Sequence, residues 1–170
     1  MKNKDILLLD QTLPDVSPPE MDGWFNYAVE ETIQRAAAKA ISIRKVIAPK
    51  EKMVEYQEKI KKLQEKHAEE DEYGEPMKTL TPIGGGRQIE KFIIAEIDNP
   101  RGKFNVALKA LEKKYKEAID EYDKGLKFLD EENPDFEPYW TKADLIPKGL
   151  SRIQMKAIFL MIKKEDAKKA

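Results

Sequence analysis

The sequence predicts an α+β protein, mainly α: a long helical hairpin of antiparallel coiled-coil-like character with a small β insert and a short apolar C-terminal helix. Three observations carry that expectation. Apolar residues recur at alternating steps of three and four in two well-separated stretches, Met53, Tyr56, Ile60, Leu63, His67 and Phe104, Leu108, Leu111, Tyr115, Ala118, Tyr122, which is the seam of paired helices. Between them a glycine-split extended segment interrupts the helical pattern. Near the end "AIFLMI" is apolar on too many sides to be a solvated helix. At 170 residues the length allows one compact domain with a real core, so a single domain over 1–170 is expected.

The first helix is announced by "VSPPEM", with Ser17 as N-cap, Pro18 at the first helical position, Glu20 three residues after the serine, and Val16 and Met21 as a hydrophobic staple. It should run from about 18 to 47, with a disturbance near Gly23, and its small residues Ala36, Ala37, Ala38 and Ala40 suit close approach of another helix. Pro49 opens a second helix over roughly 49–70, so that helical arms of about 18–70 and 99–131 form the body of the fold. "EDEYGEP" ends the first arm with Gly74 and Pro76, and a β insert follows at about 77–98. Asn99 as N-cap and Pro100 start the second arm. A strand, "YWTKADLI", and a final helix with Ser151 and Gln154 as capping box fill about 136–164.

Composition excludes several function classes. Lys and Arg (31) nearly cancel Asp and Glu (32), so no global field attracts extended nucleic acid or an anionic membrane. Cysteine is absent, which removes disulfides, zinc–cysteine sites and thiol catalysis. The start "MKNKDILLLDQ" has only four consecutive apolar residues, far short of a signal-peptide core, and "AIFLMI" is too short to span a bilayer. A soluble, cytoplasmic protein is expected.

"MVEYQEKIKKLQEKHAEEDEYGEP" followed by "RQIEKFIIAEIDNPRGKFNVALKALEKKYKEAI" resembles, in element order and in its helix, acidic Tyr-Gly turn, strand and helix signature, a group of small phage-encoded proteins of unknown function. The resemblance covers about residues 25–162. It implies a phage origin, and hence the cytoplasm of a host cell, and it transfers no catalytic residue.

Catalysis is hard to build from this sequence. The one histidine, His67, lies on the apolar seam; Glu70 and Asp71 stand three and four residues on, but a Glu-x-x-His pair fails because position 64 is Gln. Two of three serines read as helix caps. No enzyme activity, cofactor or metal is therefore expected. "PIGGGRQ" is the sharpest local feature: Gly84, Gly85 and Gly86 can present backbone N–H groups to a phosphate, and Arg87 adds a guanidinium. The spacing is not that of a P-loop, and a plain hairpin tip reads equally from it. Arg101 and Lys103 place cations at a helix start, where they oppose the helix dipole but reinforce anion binding. Tyr139 and Trp140 could stack a nucleobase or sit half-buried in a core.

Two functions follow. The first is a non-catalytic binder of a small phosphorylated, nucleotide-like ligand through Gly84, Gly85, Gly86, Arg87, Arg101, Lys103, Tyr139 and Trp140, sequestering a host immune signal. The second is an assembly protein whose charged hairpin binds a protein partner. A homo-oligomer is expected in either case, because of the apolar last helix and the alanine surface of the first.

Overall fold

The computed structural model describes residues 1–16, 22–84, 87–95 and 97–163. It is mainly helical, with a small two-stranded antiparallel sheet. In chain order the elements are α1 (Asn3–Thr12), α2 (Gly23–Ile47), α3 (Glu51–Lys66), β1 (Lys78–Gly84), β2 (Arg87–Phe92), α4 (Lys103–Lys114), α5 (Lys116–Lys127) and α6 (Arg152–Phe159). They fall into two compact units, Met1–Ala48 with Lys124–Ala170 and, inserted between, Pro49–Asp123.

The first unit is built on α2. Asp22 caps this helix by accepting from the N–H groups of Trp24 (2.9 Å) and Phe25 (3.3 Å); the cap expected at Ser17 lies outside the described residues. The buried stripe of α2 is Phe25, Ala28, Val29, Thr32, Ala36, Ala40 and Ile43. Against it pack Ile6, Leu9 and Leu13 from the N-terminal segment, and Phe136, Ala157, Ile158 and Met161 from the returning chain. The helix α1 was not anticipated, because "ILLL" reads as a short apolar run. Its signal was the three- and four-residue spacing of Ile6, Leu9 and Leu13.

The return is mostly irregular. The strand expected at "YWTKADLI" is reduced to a single parallel bridge, Thr141 to Ile162, followed by a 3-10 turn over Ala143–Leu145. A strand needs a backbone partner along its length, and of the N–H groups in this stretch that of Thr141 is the one donating to a distant carbonyl, Met161 at 2.9 Å. α6 does start on the reciprocal Ser151–Gln154 box. Gly125 of α5 allows a close approach: a Cβ there would stand 3.1 Å from the Val46 carbonyl oxygen.

In the second unit α3 packs on α4 and α5. Tyr56 meets Tyr115 (ring centroids 5.6 Å) and His67 meets Phe104 (5.9 Å), so partners descend in number as α3 ascends. Met53, Tyr56 and Tyr115 form the buried centre, with Ile60, Leu111, Ile119 and Tyr122 around it. The helix expected to run unbroken over 99–131 is two helices. The backbone leaves helical geometry at Tyr115 (φ −105°, ψ 16°), whose ring is buried and whose hydroxyl donates to Glu55 at 2.6 Å. Its start is also later than expected: Gly102 is the N-cap, while Asn99 instead accepts the Arg101 N–H through Oδ1 in a tight turn. β1 and β2 pair in register from Lys78–Phe92 to Gly84–Arg87, with an irregularity between Pro82 and Gly84.

Asn3 is the buried polar link of the first unit, 1% exposed, donating to the Phe128 carbonyl (2.8 Å) and accepting from the Asn133 amide (3.1 Å). Replacing it by Ala removes both bonds, leaving the Phe128 carbonyl with the Glu131 N–H (3.2 Å) and the Asn133 amide without this acceptor, at a cost of about 1–3 kcal/mol. Trp24 and Trp140 both belong to this unit, so urea unfolding followed by tryptophan fluorescence should show a lowered midpoint for Asn3→Ala.

Candidate functional site

The candidate anion contacts lie on two units, with Gly84, Arg87, Arg101 and Lys103 in Pro49–Asp123. Gly84 is the last residue of β1 and pairs with Arg87, the first of β2, at the tip of the ribbon; Gly85 and Gly86 lie outside the described residues. Arg101 and Lys103 follow the ribbon's other end. That end is tied down by the Ile93 N–H to the Met77 carbonyl (3.0 Å), the Met77 N–H to Glu69 (2.7 Å) and the Glu69 N–H to Ile93 (2.8 Å). From Phe92 to Arg87 the backbone covers about 17 Å at ~3.4 Å per residue. Arg101 and Lys103 are exposed and have no ion-pair partner among the described residues. The Asn105 amide, donating to the carbonyls of Ile97 (2.8 Å) and Asn99 (2.7 Å), fixes the turn that carries them.

Tyr139 and Trp140 belong to the other unit. Thr32 anchors Tyr139 by accepting its N–H (2.9 Å). The ring is then packed edge-on by Trp24 (5.7 Å) and Tyr27 (5.2 Å) and covered by the Arg35 guanidinium at 5.4 Å. Rings this close leave no room for a cation between them, so the cluster is a packed platform and not an aromatic cage. Beside it runs an open groove of about 670 Å³ lined by Arg35, Lys39 and Ser42 on one wall and Asp135, Phe136 and Glu137 on the other. Trp24, Tyr27 and Arg35 were missed in the sequence because they read as ordinary positions of a helix.

The second unit holds a connected polar cluster around Tyr115. Its hydroxyl donates to Glu55, Lys59 pairs with the same carboxylate (2.8 Å), and the ammonium groups of Lys59 and Lys114 each lie 5.5 Å from its ring centre. The Lys59 and Tyr115 hydrogen bonds hold the Glu55 carboxyl below the usual glutamate range. The reciprocal bond from Glu55 raises Lys59, and burial pushes the Tyr56 phenol up. An open recess of about 430 Å³ is lined by Tyr56, Glu112 and Ile119 together with Lys109, Lys113 and Lys116, spaced by four and three. None of these three lysines has an ion-pair partner among the described residues. No group of three or more His, Asp or Glu among the described residues is placed to hold a metal ion, and no described helix is long and apolar enough to cross a membrane.

Comparison of the chain with protein-family models, curated proteins and solved structures finds no match. The chemistry of these surfaces is therefore the ground for a functional reading.

The Glu55 cluster sets a pH dependence. A carboxyl whose folded pKa is depressed contributes stability above its ordinary value near 4.5, and that contribution is lost as pH falls through the depressed value. The helical circular dichroism of the parent should melt at progressively lower temperature below about pH 4.5, and Glu55→Gln should flatten this dependence while lowering the neutral-pH melting temperature.

Proposed function

We propose that the protein works without catalysis, as a phage accessory protein that binds an acidic protein partner through the second unit in the cytoplasm of the host cell. In this reading α3 with α4 and α5 serves as an antiparallel, coiled-coil-like arm. The observation that carries it is the basic shelf of Lys109, Lys113 and Lys116, three cations without an ion-pair partner among the described residues, lining one recess with Tyr56, Glu112 and Ile119. Lysines neutralised within a structural network would sit in ion pairs. These three are left to an outside carboxylate surface, with apolar side chains beside them to exclude water.

A second reading, capture of a small anionic, nucleotide-like ligand, is favoured by Arg101 and Lys103, two exposed cations at the start of α4 without an ion-pair partner among the described residues. The ribbon's length separates them from Gly84 and Arg87, and Tyr139 and Trp140 belong to the other unit. A ligand on the second unit would accordingly depend on Arg101 and Lys103 alone.

One comparison distinguishes the two. Affinity capture with the parent should retain a stoichiometric protein that Lys109→Glu/Lys113→Glu/Lys116→Glu loses, while calorimetry with cyclic dinucleotides and ADP-ribose derivatives gives no binding heat. Binding of any member of that panel, weakened about tenfold or more by Arg101→Ala and untouched by the triple change, would replace the protein-partner reading with the ligand reading.

A further inference from the structure

α2 has two faces. A helix advances about 100° per residue, and the core stripe centred on Thr32 and Ala36 occupies one side. Nearly opposite, Trp24, Tyr27, Glu31, Gln34, Ala38, Ile41 and Lys45 recur at steps of three and four without a break. Trp24, Tyr27 and Ile41 are 52%, 46% and 57% exposed, although each is a large apolar side chain on the same stripe. Tyr139 flanks the stripe at Trp24 and Tyr27, and Gln34, Ala38, Ile41 and Lys45 stay open to solvent. Sustained three-four spacing is the pattern of a helix that meets another helix along a seam, and the core face is already used elsewhere.

The stripe is complementary to itself. In an antiparallel pair about a two-fold axis between Glu31 and Gln34, Trp24 faces Ile41 of the second copy, Tyr27 faces Ala38, and Glu31 faces Gln34. Each ring then meets an aliphatic side chain, the Trp24 indole against Ile41 and the Tyr27 phenol against Ala38, the smallest residue of the stripe. The Gln34 amide can donate to the opposite Glu31 carboxylate, and one polar layer of this kind fixes register. Arg35 stands 3.8 Å from Glu31 of its own helix, so the two carboxylates nearest the axis enter already neutralised. A parallel pair would instead stack Glu31 on Glu31 and Lys45 on Lys45. The pairing partner best matched to this face is therefore the same face on a second copy.

We infer that the protein forms a two-fold dimer through antiparallel pairing of α2 on α2 in this register. The inference uses the first unit alone and holds whether or not the second unit binds a protein.

Sedimentation velocity tests it. The parent should weigh about 39 kDa, twice the 19.6 kDa chain. Ile41→Glu should weaken dimerisation by about a hundredfold or more by burying an unpaired charge. Val46→Glu, also exposed (52%) but off the stripe, should leave the mass unchanged. Unaltered circular dichroism in both variants guards against misfolding. The register has its own readout, because the chain has no cysteine. Gln34→Cys copies would be displaced by three residues, about 4.5 Å along the axis, and should oxidise to a covalent dimer; Lys45→Cys copies would be displaced by about 37 Å and should not. A monomeric parent, a dimer indifferent to Ile41→Glu, or crosslinking at Lys45→Cys but not at Gln34→Cys would overturn the inference.

Discussion

The first unit depends on one constraint: the core face of α2 must be covered from two stretches of chain that lie far apart in sequence. α1 comes from the N-terminus and the return over 128–162 from the other end, and neither has regular partners except through α2 and each other. The irregular return settles its backbone polar groups accordingly. The Asn3 N–H donates to Glu131 (3.0 Å), the Asn133 N–H to Met1 (2.7 Å), and the Tyr139 N–H to the Thr32 hydroxyl (2.9 Å). The Thr32 hydroxyl, in the middle of an otherwise apolar stripe, is thus a backbone partner for the Tyr139 segment. At the far end of α2, Gly125 meets Val46 backbone to backbone, which brings together the two points where the inserted unit leaves and rejoins. An insertion of this kind is tolerated because its ends are already held close by the host.

The second unit is stabilised differently. Among the described residues its central cluster is Met53, Tyr56 and Tyr115, two of which carry hydroxyls, with Ile94 and Phe104 buried outside it. Much of what joins α3 to α4 and α5 is therefore polar: the Tyr115–Glu55 hydrogen bond, cations stacked on the Tyr115 ring, and the ion pair of Lys50 with Glu121. Exposed ion pairs contribute little each. A small apolar centre and exposed polar ties imply a lower free energy of local opening than in the first unit, and binding surfaces that adapt to a partner are drawn from such regions.

The mainly helical character was legible from three-four periodicity, while of the residues on the expected seams Ile60, Leu63, His67, Leu108, Leu111, Ala118 and Tyr122 are only half-buried. Met53, Tyr56, Phe104 and Tyr115 are buried as their spacing requires. What the sequence hid was direction. Ala36 and Ala40 were read as a surface for another subunit, yet they face the protein's own core, and of the alanines 36, 37, 38 and 40 only Ala38 is exposed. Alanine marks close approach without saying to what. The strand at "YWTKADLI" failed for a related reason: β-propensity describes a residue's fit to a sheet, and among the described residues no neighbouring strand is there to make one. Tyr139 was singled out as a stacking residue, but its surroundings were not readable, since Trp24, Tyr27 and Arg35 approach it from more than a hundred residues away. The glycine loop was the reverse case, conspicuous in composition: Gly84 and Arg87 pair at the end of the ribbon, while Gly85 and Gly86 lie outside the described residues.

The two surfaces proposed here bear on each other through number. A shelf of three solvated lysines makes weak contacts singly, each worth roughly 0–1 kcal/mol against an exposed carboxylate and screened by salt. Such a surface alone would hold a partner only briefly. The proposed α2 dimer carries two copies of the second unit, so one particle presents two shelves. A partner that is itself repeated can engage both, and the second contact then forms at an effective concentration in the millimolar range when the geometry allows it. Affinity would arise from duplication and not from any one deep pocket. The cavities fit this division: the described grooves are open and lined by charged side chains, which suits broad contact with a macromolecule better than enclosure of a small ligand. Breaking the α2 seam should consequently weaken partner binding although no lysine of the shelf is altered, because it halves the number of contacts and removes the avidity they share.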